Sequence, residues 1–272
     1  MRDRLRVEPG TRPGLARRDP ADTLGHRKPD AQDRLAELAG ELSVLQYRLW
    51  AEHRRSVLLV LQGLDAAGKD STIRRVFTGL NPQGCVVKAF KRPAGEDLEH
   101  DYLWRVHRAT PERGDIGIFN RSHYEDVVAA RLLGVIGDGQ RDRRYKHIRG
   151  FEQLLRDEGT ALVKVFLHVS REKQAARLRK RLADPEKRWK FHKEDLDSHA
   201  RYDELMGLYE AALGATSTKW APWYVVPADH KWVSGVAVAS LLVETLRGLD
   251  PKIPSPTEDL QDLHDLEALD LK

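Results

Sequence analysis

The stretch VLLVLQGLDAAGKDS, residues 57 to 71, limits the possible folds more than any other part of the chain. A short continuous apolar run that closes on Gly reads as a strand buried on both faces. Gly63 to Lys69 then fits G-x-x-x-x-G-K, a loop whose backbone amides, with the start of the following helix, cradle phosphate. The helical pattern STIRRVFTGL follows directly, and this strand-loop-helix context argues against a glycine-rich turn that binds nothing. Two residues are unusual. Such loops normally put Ser or Thr after the lysine to hold magnesium, whereas here Asp70 occupies that place and a second acid, Asp65, lies inside the loop.

Apolar runs of similar length recur at 85–90 (CVVKAF), 115–120 (DIGIFN), 161–169 (ALVKVFLHV) and 223–228 (WYVVPA), separated by helical patterns that include EDLEHDYLWRVHRA, SHYEDVVAARLL and HIRGFEQLLRDEG. Strands alternating with helices imply right-handed crossovers and a parallel sheet covered on both faces. The expected fold is therefore α/β: a P-loop kinase-like parallel sheet of about five strands, with helices on both faces and a basic helical lid over residues 171–213. Leu35, Leu38, Leu42, Leu45 and Leu49 recur at helical steps, so an amphipathic helix should run from Asp30 to the cluster His53-Arg54-Arg55. Three parts follow: a flexible basic N-terminal arm (1–29), the P-loop kinase domain (30–249) and an acidic, proline-led C-terminal tail (250–272). The arm earns this reading because Arg, Pro and Gly dominate it without apolar periodicity.

The 272-residue chain is 40% hydrophobic and 32% charged, which suits a soluble globular domain rather than a disordered chain. A formal net charge of +4 does not by itself imply nucleic acid as a partner. The single Cys85 excludes a disulfide framework within the chain and fits a reducing compartment. With no apolar leader at the N-terminus and no run of eighteen apolar residues, a cytoplasmic location and no membrane association are expected.

The residues of the loop and its neighbours divide by chemistry. Gly63, Ala66, Ala67, Gly68, Asp70 and Ser71 form the phosphate cradle, Lys69 supplies a point charge, and Asp65 can replace the missing hydroxyl as a magnesium ligand. Other phosphate-loop enzymes take a second metal ligand from the end of a neighbouring strand. That strand ends in Asn120, while Asp115 lies at its wrong end. Arg121 follows and should clamp a phosphoryl group with its planar fork. Ser122 and Glu125 read as a capping box, and His123 as a structural histidine. Phe90, Lys91 and Arg92 close the second strand at the edge where open sheets bind ligands, so they are candidate nucleotide contacts. Arg177, Lys180, Arg181, Lys187, Arg188 and Lys190 form a cation run; such runs are usually solvated, but beside a phosphate loop they suit a long polyanion.

GLDAAGKDSTIRRVF, NPQGCVVKAFKRP, EDLEHDYLWR, IGIFNRSHYEDV, DPEKRWKF and APWYVVPADHKW together resemble the polyphosphate kinase 2 family, from about residue 35 to 248. IFNRSHYEDV, in place of the FDRSWYNRAG form of the ADP-preferring branch, resembles the class III branch, whose members phosphorylate AMP and ADP. The resemblance implies a magnesium-dependent, reversible transfer of the terminal phosphoryl of inorganic polyphosphate to AMP and ADP, giving ADP and ATP. It also implies a dimer or tetramer. In the family, the loop acid and the acid of the FDRSW turn bind metal; the first carries over as Asp65, while Asn120 brings a neutral amide to the second. Two other readings share the loop: an ATP-dependent nucleotide or metabolite kinase, and a non-catalytic P-loop switch or adaptor. The cation run disfavours both, and the guanine-reading N-K-x-D signature is absent.

Overall fold

The structure, a computed structural model, describes residues 1–256; most of the acidic C-terminal tail lies outside the described residues. In chain order the helices are α1 (Arg2–Leu5), α2 (Lys28–Glu52), α3 (Lys69–Phe77), α4 (Trp104–His107), α5 (Ala129–Leu132), α6 (Asp138–Asp157), α7 (Arg171–Ala183), α8 (Glu194–Ala200), α9 (Tyr202–Thr216) and α10 (Lys231–Leu249). The strands are β1 (Ser56–Gln62), β2 (Cys85–Ala89), β3 (Ile116–Asn120), β4 (Thr160–His168) and β5 (Trp223–Pro227). They form one sheet of order β2-β3-β1-β4-β5, with every pair parallel. The expected α/β fold with five parallel strands is what the chain adopts.

β1 is central because all seven of its residues are buried, and it pairs with β3 (Val57 opposite Ile116) and with β4 (Val57 opposite Ala161). This register brings Gln62 and Asn120 to the same carboxyl edge, where ligands bind in open sheets. α2 starts at Lys28 and ends where His53 takes a left-handed conformation (φ 53°) as its C-cap. Its Leu38, Leu42, Leu45 and Leu49 are buried in the chain's own core against α10.

α10 is long and apolar enough to cross a bilayer by length and composition, a feature the apolar-run criterion missed. It is the core helix here, with Val233 to Val243 almost entirely buried against the sheet and α2.

Five local expectations are corrected. The N-terminal arm is docked rather than free: Leu5, Val7 and Leu15 are buried, Val7 N–H donates to Trp223 O at 2.8 Å, and Arg6 bridges antiparallel to Tyr224. Arg18 donates to the carbonyls of Leu5 and Arg6, and Glu210 accepts from the amides of Gly14 and Leu15, so side chains satisfy a segment that has little secondary structure of its own. β2 is an edge strand with Val86 and Val87 exposed, not a strand buried on both faces. The run 96–109 forms only a 3-10 turn and α4, because Asp101 captures the Leu103 amide in a local turn. The run 122–133 likewise splits into a 3-10 turn (His123–Asp126) and α5. Within the expected lid, α9 belongs to the body, where Leu205, Tyr209, Ala212 and Leu213 are buried.

Candidate active site

The phosphate loop leaves β1 through Gly63 at φ 151°, where an added Cβ would lie 2.8 Å from Leu167 O. Gly68 (φ 112°) then caps α3. Ala66 also sits in the left-handed region (φ 61°); for a residue with a Cβ this costs about 1–3 kcal/mol and persists only where the surroundings enforce it. Arg177 provides that enforcement. Its guanidinium donates to Ala66 O (3.0 Å), Ala67 O (2.9 Å), Ala228 O (2.5 Å) and Asp229 O (3.0 Å), tying the loop to the end of β5.

Lys69 is buried, and its Nζ donates to Gly63 O (2.6 Å) and Leu64 O (3.1 Å). Burial, with Arg121 adding to it, lowers its pKa to about 8, against the pull of Asp65 and Glu125. Asp65 accepts from Arg121 at 2.5 Å. Burial pushes the Asp65 carboxyl up, but Arg121 and Lys69 outweigh it and hold it below the ordinary carboxylate range. Arg121 carries the same left-handed strain (φ 61°) and is fixed by its amide to Leu61 O, so it projects beside the loop from the end of β3. Glu125, by its spacing from Ser122 a capping acid, has a further place in the site. It lies within the field of Arg121 and Lys69, and burial raises its pKa despite both cations.

Asp70 stands where the hydroxyl would be and bridges two elements: it accepts from Asn120 Nδ2 at 2.8 Å and pairs with Lys190 of the lid at 3.6 Å. Ser71 is turned away, donating to Gly68 O. Asp65, Lys69, Asp70, Asn120 and Arg121 thus converge, as their positions along the sequence suggested.

Other expectations fail for identifiable reasons. Phe90 is buried, edge-on to Phe119 at 4.9 Å with Arg105 over its ring, so its face is not offered to a base. Lys91 and Arg92 are exposed at the same strand end. Of the lid cations, Arg177 is consumed by the loop, Arg181 pairs with Asp195 at 3.0 Å, Lys187 pairs with Asp184, and Arg188 donates to Leu182 O. Lys180 instead faces a basic cluster that the sequence reading missed. Lys231 has its pKa lowered by burial and then by Arg177, Arg75, Lys180 and Arg74, so the charged groups that act on it most are all cations. The signal was present in Arg74-Arg75 directly after the loop, but a chain alone does not show that they meet Lys231, far away in the sequence. His123 is fully buried between the rings of Tyr124 and Phe151, as a structural histidine should be.

The family model for polyphosphate kinase 2 matches residues 25–254. The AMP/ADP-polyphosphate phosphotransferase of Meiothermus ruber is 48% identical over 255 residues, spanning 93% of this chain and 96% of that one. The ADP-polyphosphate phosphotransferase of Rhodopseudomonas palustris is 43% identical over 228 residues, 79% of each. The crystal structure of polyphosphate kinase 2 from Arthrobacter aurescens TC1 superposes with a TM-score of 0.93 at 39% identity, covering 98% of this chain and 96% of that one. A match over nearly the whole chain, in sequence and in fold, shows that the protein belongs to the polyphosphate kinase 2 family.

Proposed function

We propose that the protein transfers the terminal phosphoryl group of inorganic polyphosphate to AMP and ADP, giving ADP and ATP, in a reversible, magnesium-dependent reaction. The observation that carries this reading is a phosphate loop with Lys69 inside it and Arg121 beside it, held by Arg177, which also lies in the field of Lys231, where Arg75 donates to the Lys231 carbonyl at 3.0 Å and Arg74 and Lys180 add further positive charge. A polymer with a charge on every unit gains from such a cluster through counterion release, whereas a single nucleotide donor would leave most of it unused. The names of the relatives from Meiothermus ruber and Rhodopseudomonas palustris support the same substrates.

Lys69 and Arg121 would share the charge of the transferring group while the acceptor phosphate attacks in line, so positioning and electrostatics carry the catalysis. The acceptor is already ionised and needs no base, which agrees with the seclusion of His123. The donor set suits magnesium. Asp65 offers a carboxylate, Asn120 a carbonyl oxygen, and Asp70 a second carboxylate alongside, and magnesium needs only one or two carboxylates plus substrate phosphates. When bound it would neutralise charge on the phosphate oxygens. The lid from α7 to α8 would exclude water.

We further place the protein in the cytoplasm as a homo-oligomer, a dimer or tetramer, with no nucleic-acid or membrane partner. The leucines of α2 are spent inside the chain, so support for self-association comes from its other face, Val44, Tyr47 and Trp50, and from the exposed edge of β2. Phosphorus NMR tests the reaction: with AMP and magnesium, each phosphoryl group gained by nucleotide, one per ADP and two per ATP, should match the loss of one phosphate unit from polyphosphate. Nucleotide phosphorylation without chain shortening would overturn the proposal.

A further inference from the structure

A charged cluster lies in the core beneath the active-site turn, and the chemistry described above does not use it. Lys164 of β4 and Glu152 of α6 are both fully buried. Lys164 Nζ donates to Glu152 Oε2 at 2.6 Å and to Thr216 O at 2.8 Å, and it lies 3.3 Å from the Tyr124 hydroxyl. That hydroxyl donates to Glu152 Oε1 at 2.7 Å. Burial pushes the Tyr124 phenol far above its usual range, so it stays a donor, while Lys164, with His123 3.5 Å from Glu152 Oε1, outweighs burial and keeps the Glu152 carboxyl below its ordinary value.

A buried ion pair gives little net stability compared with apolar residues of the same volume. The position of this one suggests a different use. Tyr124 begins three residues after the strained Arg121, and its amide donates to Ser122 Oγ. Ser122 Oγ is in turn hydrogen-bonded to the Gln62 side chain at 3.0 Å, and Gln62 is the last residue before the loop. The turn carrying Arg121 is thus held at one end by β1 and at the other by the Tyr124 hydroxyl.

We propose that Tyr124, Glu152 and Lys164 act as positioning residues that hold the Arg121 guanidinium at the phosphoryl group. This inference rests on the phosphotransferase reading. Glu152 supplies the acceptor that fixes the Tyr124 ring, Lys164 keeps that acceptor charged and oriented, and the fixed ring sets the turn. An apolar replacement could fill the same space without setting the rotation of the turn.

The test is a double-mutant cycle between Tyr124→Phe and Arg121→Ala, in which additivity marks independent action and its failure marks coupling. In the wild-type background, Tyr124→Phe should lower kcat about fivefold to tenfold with less than about a twofold change in the KM for nucleotide, and weaken tripolyphosphate binding, measured by calorimetry, about threefold to fivefold. In the Arg121→Ala background it should change neither. The same loss in both backgrounds, or no loss in either, overturns the proposal. The variant Lys164→Met/Glu152→Leu/Tyr124→Phe should keep the melting temperature of the wild type within a few degrees yet lose turnover to a similar or greater extent; full turnover in that folded variant would also overturn it. Calorimetry needs no turnover, so a failure of the phosphotransferase reading itself would show as an inactive wild type while the binding cycle still decides the inference.

Discussion

Asp70 and Asn120 stand where a phosphate-loop enzyme usually places a hydroxyl and a strand-end acid, and the structure shows why the pair works. The Asn120 amide donates to the Asp70 carboxylate, and Lys190 closes on the same group from the lid. A second carboxylate at position 120 would face the first with no proton between them. On the proposed function it would also add negative charge where the dianionic phosphate of AMP would enter. Asn120→Asp should therefore shift the AMP to ADP preference toward ADP by about tenfold, equivalent to about 1.4 kcal/mol, read by chromatography of nucleotide products. An unchanged ratio would show that charge at this position does not govern acceptor choice. These residues were legible in the sequence because loop and strand-end motifs fix their spacing. Phe90 was not, since its burial depends on Phe119 and Arg105.

The elements were legible where periodicity reports burial, as in β1, β4 and α2, and illegible where a local turn wins. In 96–109 the Asp101 side chain accepts from the Leu103 amide in a local turn ahead of α4, which interrupts the continuous helix that the apolar spacing alone suggests. The edge position of β2 depends on sheet order, which no single strand encodes. β4 carries a consequence for stability. His168 is 4% exposed at its end, and burial lowers its pKa from 6.5 to about 4, against the pull of Asp229. The folded value lies below the unfolded one, so the unfolded chain binds more protons between these values. This contribution is present above pH 6.5 and lost as pH falls toward 4, up to about 3 kcal/mol. Urea unfolding at pH 7 and pH 4.5 should show a smaller acid loss in His168→Gln than in the wild type, by about 2 kcal/mol. Equal losses would mean that the ring is solvated in the fold.

At the scale of the whole molecule, the N-terminal arm is part of the body, and this changes what truncation should do. Leu5, Val7 and Leu15 enter the core, and Asp229, whose carbonyl Arg177 also uses to hold the loop, donates its amide to Pro20 O. Composition could not reveal this, because three apolar anchors among many Arg and Pro residues show no period. Leu15→Ala should cost about 2–4 kcal/mol in denaturant unfolding; a free arm would give almost nothing. The same assembly sets Arg75 on the Lys231 carbonyl, with Arg74, Lys180 and the loop-binding Arg177 in the field of Lys231, and this concentration of cations is the feature that most favours a polyanionic donor.

The most direct measurement follows AMP, magnesium and polyphosphate as sole phosphoryl donor, with nucleotides resolved by chromatography over time, for the wild type and for Lys69→Ala. ADP should appear first and ATP after it, and Lys69→Ala should slow both by at least about 100-fold. No product from polyphosphate, with ready transfer when ATP replaces it, would contradict the account and identify an ordinary nucleotide kinase.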